Sequence, residues 1–304
     1  MDAYAVGWTK YAVMPLHYHM PLYRPPAEAD NLVIQATLGC SFNRCSFCAM
    51  YRDKPYSQRS LEAVINDIQQ AARIRPETRR VFLADGDALS LPTPQLLAIL
   101  DALHVWLPGL ARVSCYATPA NILNKSPQHL RWLKERGLRL FYLGIESGSA
   151  LMLRKTSKGA SPEGIARAIQ AASAAGIRVS ATVILGLGGQ QYWQEHIDAT
   201  IALLNEAPVH YLSTLQLYVD PAIAGEFYQK FGEPFLCQDD QGMLREQARL
   251  IAGLNRPLIF RSDHASNAFP LAGNLPRDRE KLLAELKRAM RGEQQLRPWY
   301  LRGM

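Results

Sequence analysis

The sequence predicts an α/β fold in which six parallel strands form a partial, TIM-like (β/α)6 barrel. Three observations predict it. Six short runs are near-continuously apolar, as strands are when both faces of a sheet are covered. Between them lie segments with apolar residues at helical spacing, and a parallel strand pair needs a crossover of about a dozen residues or more. Strand and helix patterns alternate instead of segregating, which indicates a parallel sheet. A count of six fits an open barrel rather than a closed one of eight.

Residues 1–30 read as an irregular arm. Pro15, Pro21, Pro25 and Pro26 interrupt regular structure there, and Tyr4, Trp8, Tyr11, Tyr18 and Tyr23 suit it to packing on a surface. Residues 31–38 form the first strand. Ser60 then opens a helix with Glu62 in its first turn and Leu61, Val64, Ile65 and Ile68 at helical spacing. The second strand is 80–84, followed by a helix over 94–106 with Leu96, Leu97, Leu100 and Leu103 on its apolar side. The third strand is 111–117, and the next helix runs from about 126 to 136, closed by Gly137. The fourth strand is 139–145. Ser161-Pro162-Glu163 opens the following helix, with serine at the cap and proline in the first turn, and Gly176 ends it. Residues 177–185 are the fifth strand, 192–204 a helix and 211–219 the sixth strand. The barrel thus occupies residues 31–220, and 221–304 form a mostly helical C-terminal extension.

A chain of 304 residues has room for one such barrel or two ordinary domains. Its 48% hydrophobic and 20% charged content is that of a soluble globular protein. No run of about 18 uncharged apolar residues suggests a membrane span. Met1-Asp2-Ala3-Tyr4 lacks the basic-then-apolar pattern of a secretory signal. Five cysteines, three of them clustered, favour metal over disulfides and a reducing cytoplasm. The net charge of +7 invites a nucleic-acid reading. Near the end, Arg277, Arg279, Lys281, Lys287, Arg288, Arg291, Arg297 and Arg302 oppose only Asp278, Glu280, Glu285 and Glu293. Such a stretch is ordinarily a solvated helix face, with RNA binding the second reading. An anionic small substrate or a redox partner would use the same field.

The chemistry follows the first strand, in Gly39-Cys40-Ser41-Phe42-Asn43-Arg44-Cys45-Ser46-Phe47-Cys48. In barrels of this kind the active site lies at the C-terminal ends of the strands, where this loop falls. Three thiolates this close can bind three corners of a four-iron cluster and leave the fourth iron open. A centre used only for electron transfer normally takes four thiolates. A zinc site is the rival, since Cys45 and Cys48 form a common half-site, but the nearest further ligands, His17 and His19, lie in another segment. Packing of free cysteines is the third reading. It sits poorly with the neighbouring Ser41, Asn43 and Arg44.

This loop resembles the cluster-binding loop of the radical S-adenosylmethionine (SAM) superfamily, in which an aromatic precedes the last cysteine; Phe47 fills that place. The usual spacing of three and then two residues becomes four and then two here. The resemblance spans roughly residues 32–220 and continues at the other strand ends, in the branch containing Elongator-type and methylthiotransferase enzymes. Asp85-Gly86-Asp87 looks like a variant of the turn that binds the SAM amino group, although Asp and Gly favour such turns anyway. Gly144-Ile145-Glu146-Ser147-Gly148 resembles a signature that places Glu146 and Ser147 against the ribose or methionine part of SAM. The rival is a structural ion pair of Glu146 with Arg154 or Lys155. On the fifth strand Ile184 and Gly186 would meet adenine, and Leu215, Gln216 and Leu217 could complete that pocket.

The resemblance implies a 4Fe–4S cluster on Cys40, Cys45 and Cys48. It would cleave SAM reductively to methionine and a 5′-deoxyadenosyl radical that abstracts hydrogen from a substrate, expected to be a small molecule. It also implies a low-potential electron donor such as a flavodoxin or ferredoxin-like protein. An RNA-modifying enzyme of the same chemistry and a zinc- or cluster-bearing protein without turnover are the alternatives. Beyond the barrel, His264 in Ser262-Asp263-His264-Ala265-Ser266-Asn267 is a candidate proton donor, with a buried histidine or a capped turn as its rival. Cys115 reads as core, and Cys237 as an outside candidate for radical quenching.

Overall fold

The structure, a computed structural model, describes residues 16–303. Tyr4, Trp8, Tyr11 and Pro15 of the predicted arm lie outside the described residues. From residue 16 the arm lies against the sheet: Leu16 is buried and the Tyr18 hydroxyl donates to the carbonyl of Val33 at 2.9 Å.

The elements in order are β1 (Leu32–Gln35), β2 (Thr37–Leu38), β3 (Ser57–Gln58), α1 (Leu61–Ile74), β4 (Arg80–Ala84), α2 (Thr93–Trp106), β5 (Arg112–Ala117), α3 (Pro119–Leu123), α4 (Pro127–Glu135) and β6 (Leu138–Glu146). There follow α5 (Ala150–Lys155), α6 (Pro162–Ala174), β7 (Arg178–Leu185), α7 (Gly189–Glu206), β8 (Tyr211–Gln216), α8 (Ala224–Phe231), α9 (Asp240–Gly253), β9 (Leu258–Arg261), β10 (Ala272–Leu275) and α10 (Arg279–Met290). Serine starts several of these helices for one reason. Ser60, Ser126 and Ser161 each accept the backbone N–H three residues on, satisfying a donor that the first turn leaves unpaired.

The main sheet runs β1-β4-β5-β6-β7-β8-β9-β10. All its neighbours pair parallel except β9 and β10, which are antiparallel. The parallel α/β partial barrel is therefore present, with eight strands where the sequence suggests six. The C-terminal extension supplies the two added strands beside its helices. The predicted first strand is divided: β1 pairs with β4, while β2 turns away to pair with β3.

Period-two alternation assigns the two faces of the sheet. Leu32, Ile34, Val81, Leu83, Val113, Phe141, Val179 and Ala181 lie in the large apolar layer shared with the helices. Val33, Phe82, Leu140 and Tyr142 form a second cluster on the barrel's inner face. At the end of β6 the pairing register shifts between Gly144 and Glu146, and Glu146 takes a left-handed φ of 60°. This bulge turns the Glu146 side chain away from strict alternation.

Candidate active site

The cysteine loop leaves β2 at the C-terminal ends of the parallel strands. Gly39, at φ 66°, starts it, and a Cβ there would lie 2.4 Å from the Lys54 carbonyl oxygen, so a glycine is required. Cys40, Cys45 and Cys48 are free and half-buried. The Cys48 N–H donates to the Cys45 carbonyl at 3.1 Å, closing the second half of the loop into a turn. Arg52 braces the loop from outside, donating to the carbonyls of Cys45 at 2.7 Å, Cys48 at 3.0 Å and Asn43 at 3.4 Å. Asn43 takes a positive φ of 41°, and its side-chain amide donates to the Tyr51 carbonyl at 2.7 Å.

The Asp85-Gly86-Asp87 turn lies directly beside this loop. Asp85 is fully buried and ion-paired with Lys54 at 2.5 Å. It also accepts from the Gly39 N–H at 3.1 Å and the Tyr51 hydroxyl at 3.2 Å. Asp87, equally buried, accepts from Ser41 and from the side-chain amide of Asn121. A Cβ on Gly86 would meet the Tyr51 ring at 2.6 Å and the Cys40 Cβ at 3.3 Å. Gly86→Ala is therefore expected to lower stability by about 1–3 kcal/mol through overpacking. A drop in the urea midpoint at unchanged slope would measure it.

Glu146 pairs with neither Arg154 nor Lys155. Its partner is Lys158, at 2.8 Å, while Lys155 pairs with Glu233. The reason is geometric: the bulge carries Glu146 toward the segment after α5, away from that helix's outer face. Burial depresses the Lys158 pKa, but Glu146 and the nearby Cys45 and Cys48 more than offset this, so the ammonium is held charged. Burial pushes the Cys45 thiol up to about 11, with Lys158 acting in the opposite direction. Ionising such a thiol at neutral pH requires a metal to displace its proton.

Ser147, the next residue, is fully buried. The Nε2 of His196 contacts the Ile184 carbonyl at 2.9 Å; a carbonyl only accepts, so Nε2 carries the hydrogen. Burial lowers the His196 pKa to about 4, leaving the ring neutral and its Nδ1 free to accept from the Ser147 hydroxyl at 2.8 Å. The ends of β6 and β7 are thereby joined through α7.

At the end of β7 the Gly186 N–H donates to Glu246 at 2.6 Å, and the Gln238 amide holds the other oxygen at 3.1 Å. Glu246 is fully buried, and burial raises its pKa from 4.5 to about 7 against those two hydrogen bonds. Because the folded value lies above the unfolded one, the native state binds more protons between them. The stability that Glu246 contributes is thus fully present below about 4.5 and is lost as pH rises through about 7. The whole decline is about 3 kcal/mol. Glu246→Gln is expected to flatten it, as read from denaturant unfolding at about pH 5 and about pH 8.

Phe47 and Leu217 come together in one apolar cluster with Met152, Phe227 and Phe231, which ties the cysteine loop to the end of β8. His264 follows β9, at the C-terminal ends of the parallel strands. Its Nδ1 contacts Ser266 at 2.8 Å, its carbonyl accepts from Arg297 at 3.1 Å, and burial lowers its pKa. In the same stretch, Asn267 stitches β8 to β9 through the carbonyls of Thr214 and Ser262 and the N–H of Gln216. Cys115 is buried in the core and Cys237 is exposed.

Sequence reasoning missed Arg52, Lys54, Lys158 and Glu246. Only Glu246 left a signal: an acidic residue among Met243, Leu244, Gln247, Leu250 and Ile251, on the buried side of α9.

No three His, Cys, Asp or Glu side chains converge as a single-ion site requires among the described residues. A four-iron cluster asks for less, because each thiolate binds a different iron. Three free thiols on one braced loop, beside a retained cation, suit that donor set.

Comparison with known proteins agrees with the parallel α/β fold. The family model described as the Radical SAM superfamily matches residues 34–204, more than half of the chain. Among curated proteins, the chain is 24% identical over 183 residues to the heme chaperone HemW of Bacillus subtilis, covering 60% of this chain and 47% of that one. It is 26% identical over 189 residues to the uncharacterized methyltransferase PH0819 of Pyrococcus horikoshii, covering 60% and 39%. The chain thus spans less than half the length of either relative. Among solved structures, coproporphyrinogen III oxidase (HemN) of Escherichia coli, described as a radical SAM enzyme, superposes with a TM-score of 0.55 at 15% identity over 73% of this chain and 52% of that one. Elp3 of Methanocaldococcus infernus does so with a TM-score of 0.52 at 12% identity, over 87% and 64%. No described helix is long and apolar enough to cross a membrane. The structural likenesses establish the fold; by the extent of the family match, the chain belongs to the radical SAM superfamily.

Proposed function

We propose that this chain is a radical SAM enzyme acting on a small-molecule substrate, with Cys40, Cys45 and Cys48 as the ligands of a 4Fe–4S cluster. One observation carries the reading: three free thiols share one loop at the active end of the sheet, and Arg52 fixes the carbonyls of two of those cysteines. When bound, the cluster and SAM supply one-electron cleavage of a carbon–sulfur bond and a carbon-centred radical. The chain's own part is to position and exclude water. Glu146 and Lys158 offer a paired carboxylate and ammonium beside the cysteines, suited to the charged end or ribose of SAM. Phe47 and Leu217 supply apolar cover, and Ile184 in β7 with Gly186 just after it would meet adenine, as the resemblance implies.

The test is anaerobic reconstitution with iron and sulfide, then dithionite and SAM, with products separated by chromatography. Methionine with 5′-deoxyadenosine is the expected result. A loaded cluster that yields no SAM cleavage product would favour a cluster-bearing protein without turnover, and colourless protein holding one zinc would reject the reading outright.

A further inference from the structure

One layer of side chains on the inner face of the sheet is polar and unpaired. The register sets Gly144, Thr182, Ser213 and Arg261 level with one another on β6, β7, β8 and β9. Their strand neighbours Leu143, Ile145, Ala181, Val183, Leu212 and Phe260 lie in the layer shared with the helices. Side chains alternate along a strand, so the four face the barrel interior. The next inner layer down is Tyr142, Ser180, Tyr211 and Ile259, and its tyrosines belong to the inner apolar cluster. The next layer up holds Ile184 and Leu215, paired with each other, where the resemblance places adenine. A barrel interior packed for stability is filled by bulky branched side chains. This layer instead holds a glycine, two small hydroxyls and a guanidinium. The hydroxyls of Thr182 and Ser213 are half-buried and make no hydrogen bond among the described residues. On the opposite face of the same strands, Thr214 and Ser262 satisfy each other at 2.7 Å. Arg261 is exposed, donates only to the carbonyl of Phe260 at 3.1 Å, and has no carboxylate partner among the described residues.

We infer that this layer binds an oxyanion group, a carboxylate or a phosphate, of the small-molecule substrate, with Arg261 as its countercharge and Ser213 as a hydrogen-bond donor. The inference rests on the proposed reading of the chain as an enzyme. The guanidinium fork matches the paired oxygens of either group. Neighbouring strands lie about 4.8 Å apart, so one oxyanion spans Arg261 and Ser213 and leaves Thr182 for the next polar atom of the same molecule. The anion then marks the end of the substrate farthest from β6, and the rest of the molecule is directed along the layer toward β6, whose end carries Glu146 and its partner Lys158. The charge belongs to the extension: Arg261 lies on β9, beyond residues 34–204 that the family model matches. The residue opposite it on β10 is Ala272, too small to fill the space a ligand would take.

The probes are inorganic phosphate, followed by phosphorus-31 line broadening, and benzoate, followed by proton saturation transfer. Each is titrated at low salt into the full chain, with and without its cluster. Arg261→Gln is expected to weaken the better-bound probe at least about tenfold, the loss of a charge-assisted contact, and Ser213→Ala about two- to tenfold. Arg73→Gln, which removes an exposed cation on α1, should match the unaltered chain. Tighter phosphate binding assigns a phosphate substrate, and tighter benzoate binding a carboxylate. Arg261 is exposed, so its variant should fold, and an unchanged thermal midpoint without probe checks this. Equal affinity in Arg261→Gln and the unaltered chain would overturn the inference. So would an unaltered chain that binds neither probe, or an equal loss in Arg73→Gln, which would reduce the effect to net charge. Displacement of the probe by S-adenosylhomocysteine would also overturn it, by assigning the layer to the methionine carboxylate of SAM. Because the probes are read without turnover, their failure leaves the SAM-cleavage reading standing. A loaded chain that binds them but cleaves no SAM would strike that reading alone.

Discussion

Cys45→Ala is expected to abolish SAM cleavage, with a loss of at least about 100-fold, while leaving the fold in place. Substitutions that merely support a metal ligand cost about 10–100-fold, so removal of a ligand should cost more. The thiol is half-buried and lies in a loop whose geometry is held by other groups, namely the Arg52 contacts to the Cys48 and Asn43 carbonyls and the Asn43 contact to Tyr51. Far-ultraviolet circular dichroism and the thermal midpoint should therefore change little in the iron-free protein. Iron content and visible absorbance after reconstitution should fall together with turnover. A variant that kept four irons and full cleavage would remove Cys45 from the site and return the zinc and packing readings to consideration.

Much of the architecture was legible because local signals and tertiary structure agree. The second predicted strand matches β4 at both ends, and the helices begin where Ser60, Ser126 and Ser161 announce them. What escaped notice lacks local signal. β10 contains Gly273 and Asn274, poor strand formers, and owes its extended form to pairing with β9. β9 is four residues long and ends on Arg261. The first strand reads as continuous over 31–38, but its neighbour β4 ends at Ala84, so Thr37 and Leu38 find partners in Gln58 and Ser57. At the site, cysteine spacing exposed the loop because its chemistry is local. The rival reading of Glu146, an ion pair with Arg154 or Lys155, names the wrong cations because a bulge, which sequence does not announce, points the carboxylate at Lys158. Arg52 and Lys54 were missed because they act on backbone carbonyls and on a carboxylate distant in sequence.

Asp85→Ala should have the largest effect on stability, about 3–5 kcal/mol, because it strands a buried ammonium. Lys54 and Asp85 have side-chain exposures of 8% and 0%. Lys54 would retain the carbonyls of His19 and Pro21 but lose its only countercharge among the described residues. The same substitution leaves the Gly39 N–H and the Tyr51 hydroxyl without their acceptor. These two groups bracket the cysteine loop, so iron uptake should weaken along with the unfolding midpoint. Asp85→Asn separates this structural role from the SAM-binding role that the turn's resemblance suggests. The amide keeps the volume and one acceptor but removes the charge. If Asp85 chiefly anchors the loop through Lys54, Asn lowers stability and iron retention together, by less than Ala does. If its charge instead serves the SAM amino group, SAM affinity falls in equilibrium binding while iron content and the unfolding midpoint hold. With its acceptors already engaged by Lys54, Gly39 and Tyr51, Asp85 is expected to follow the first course.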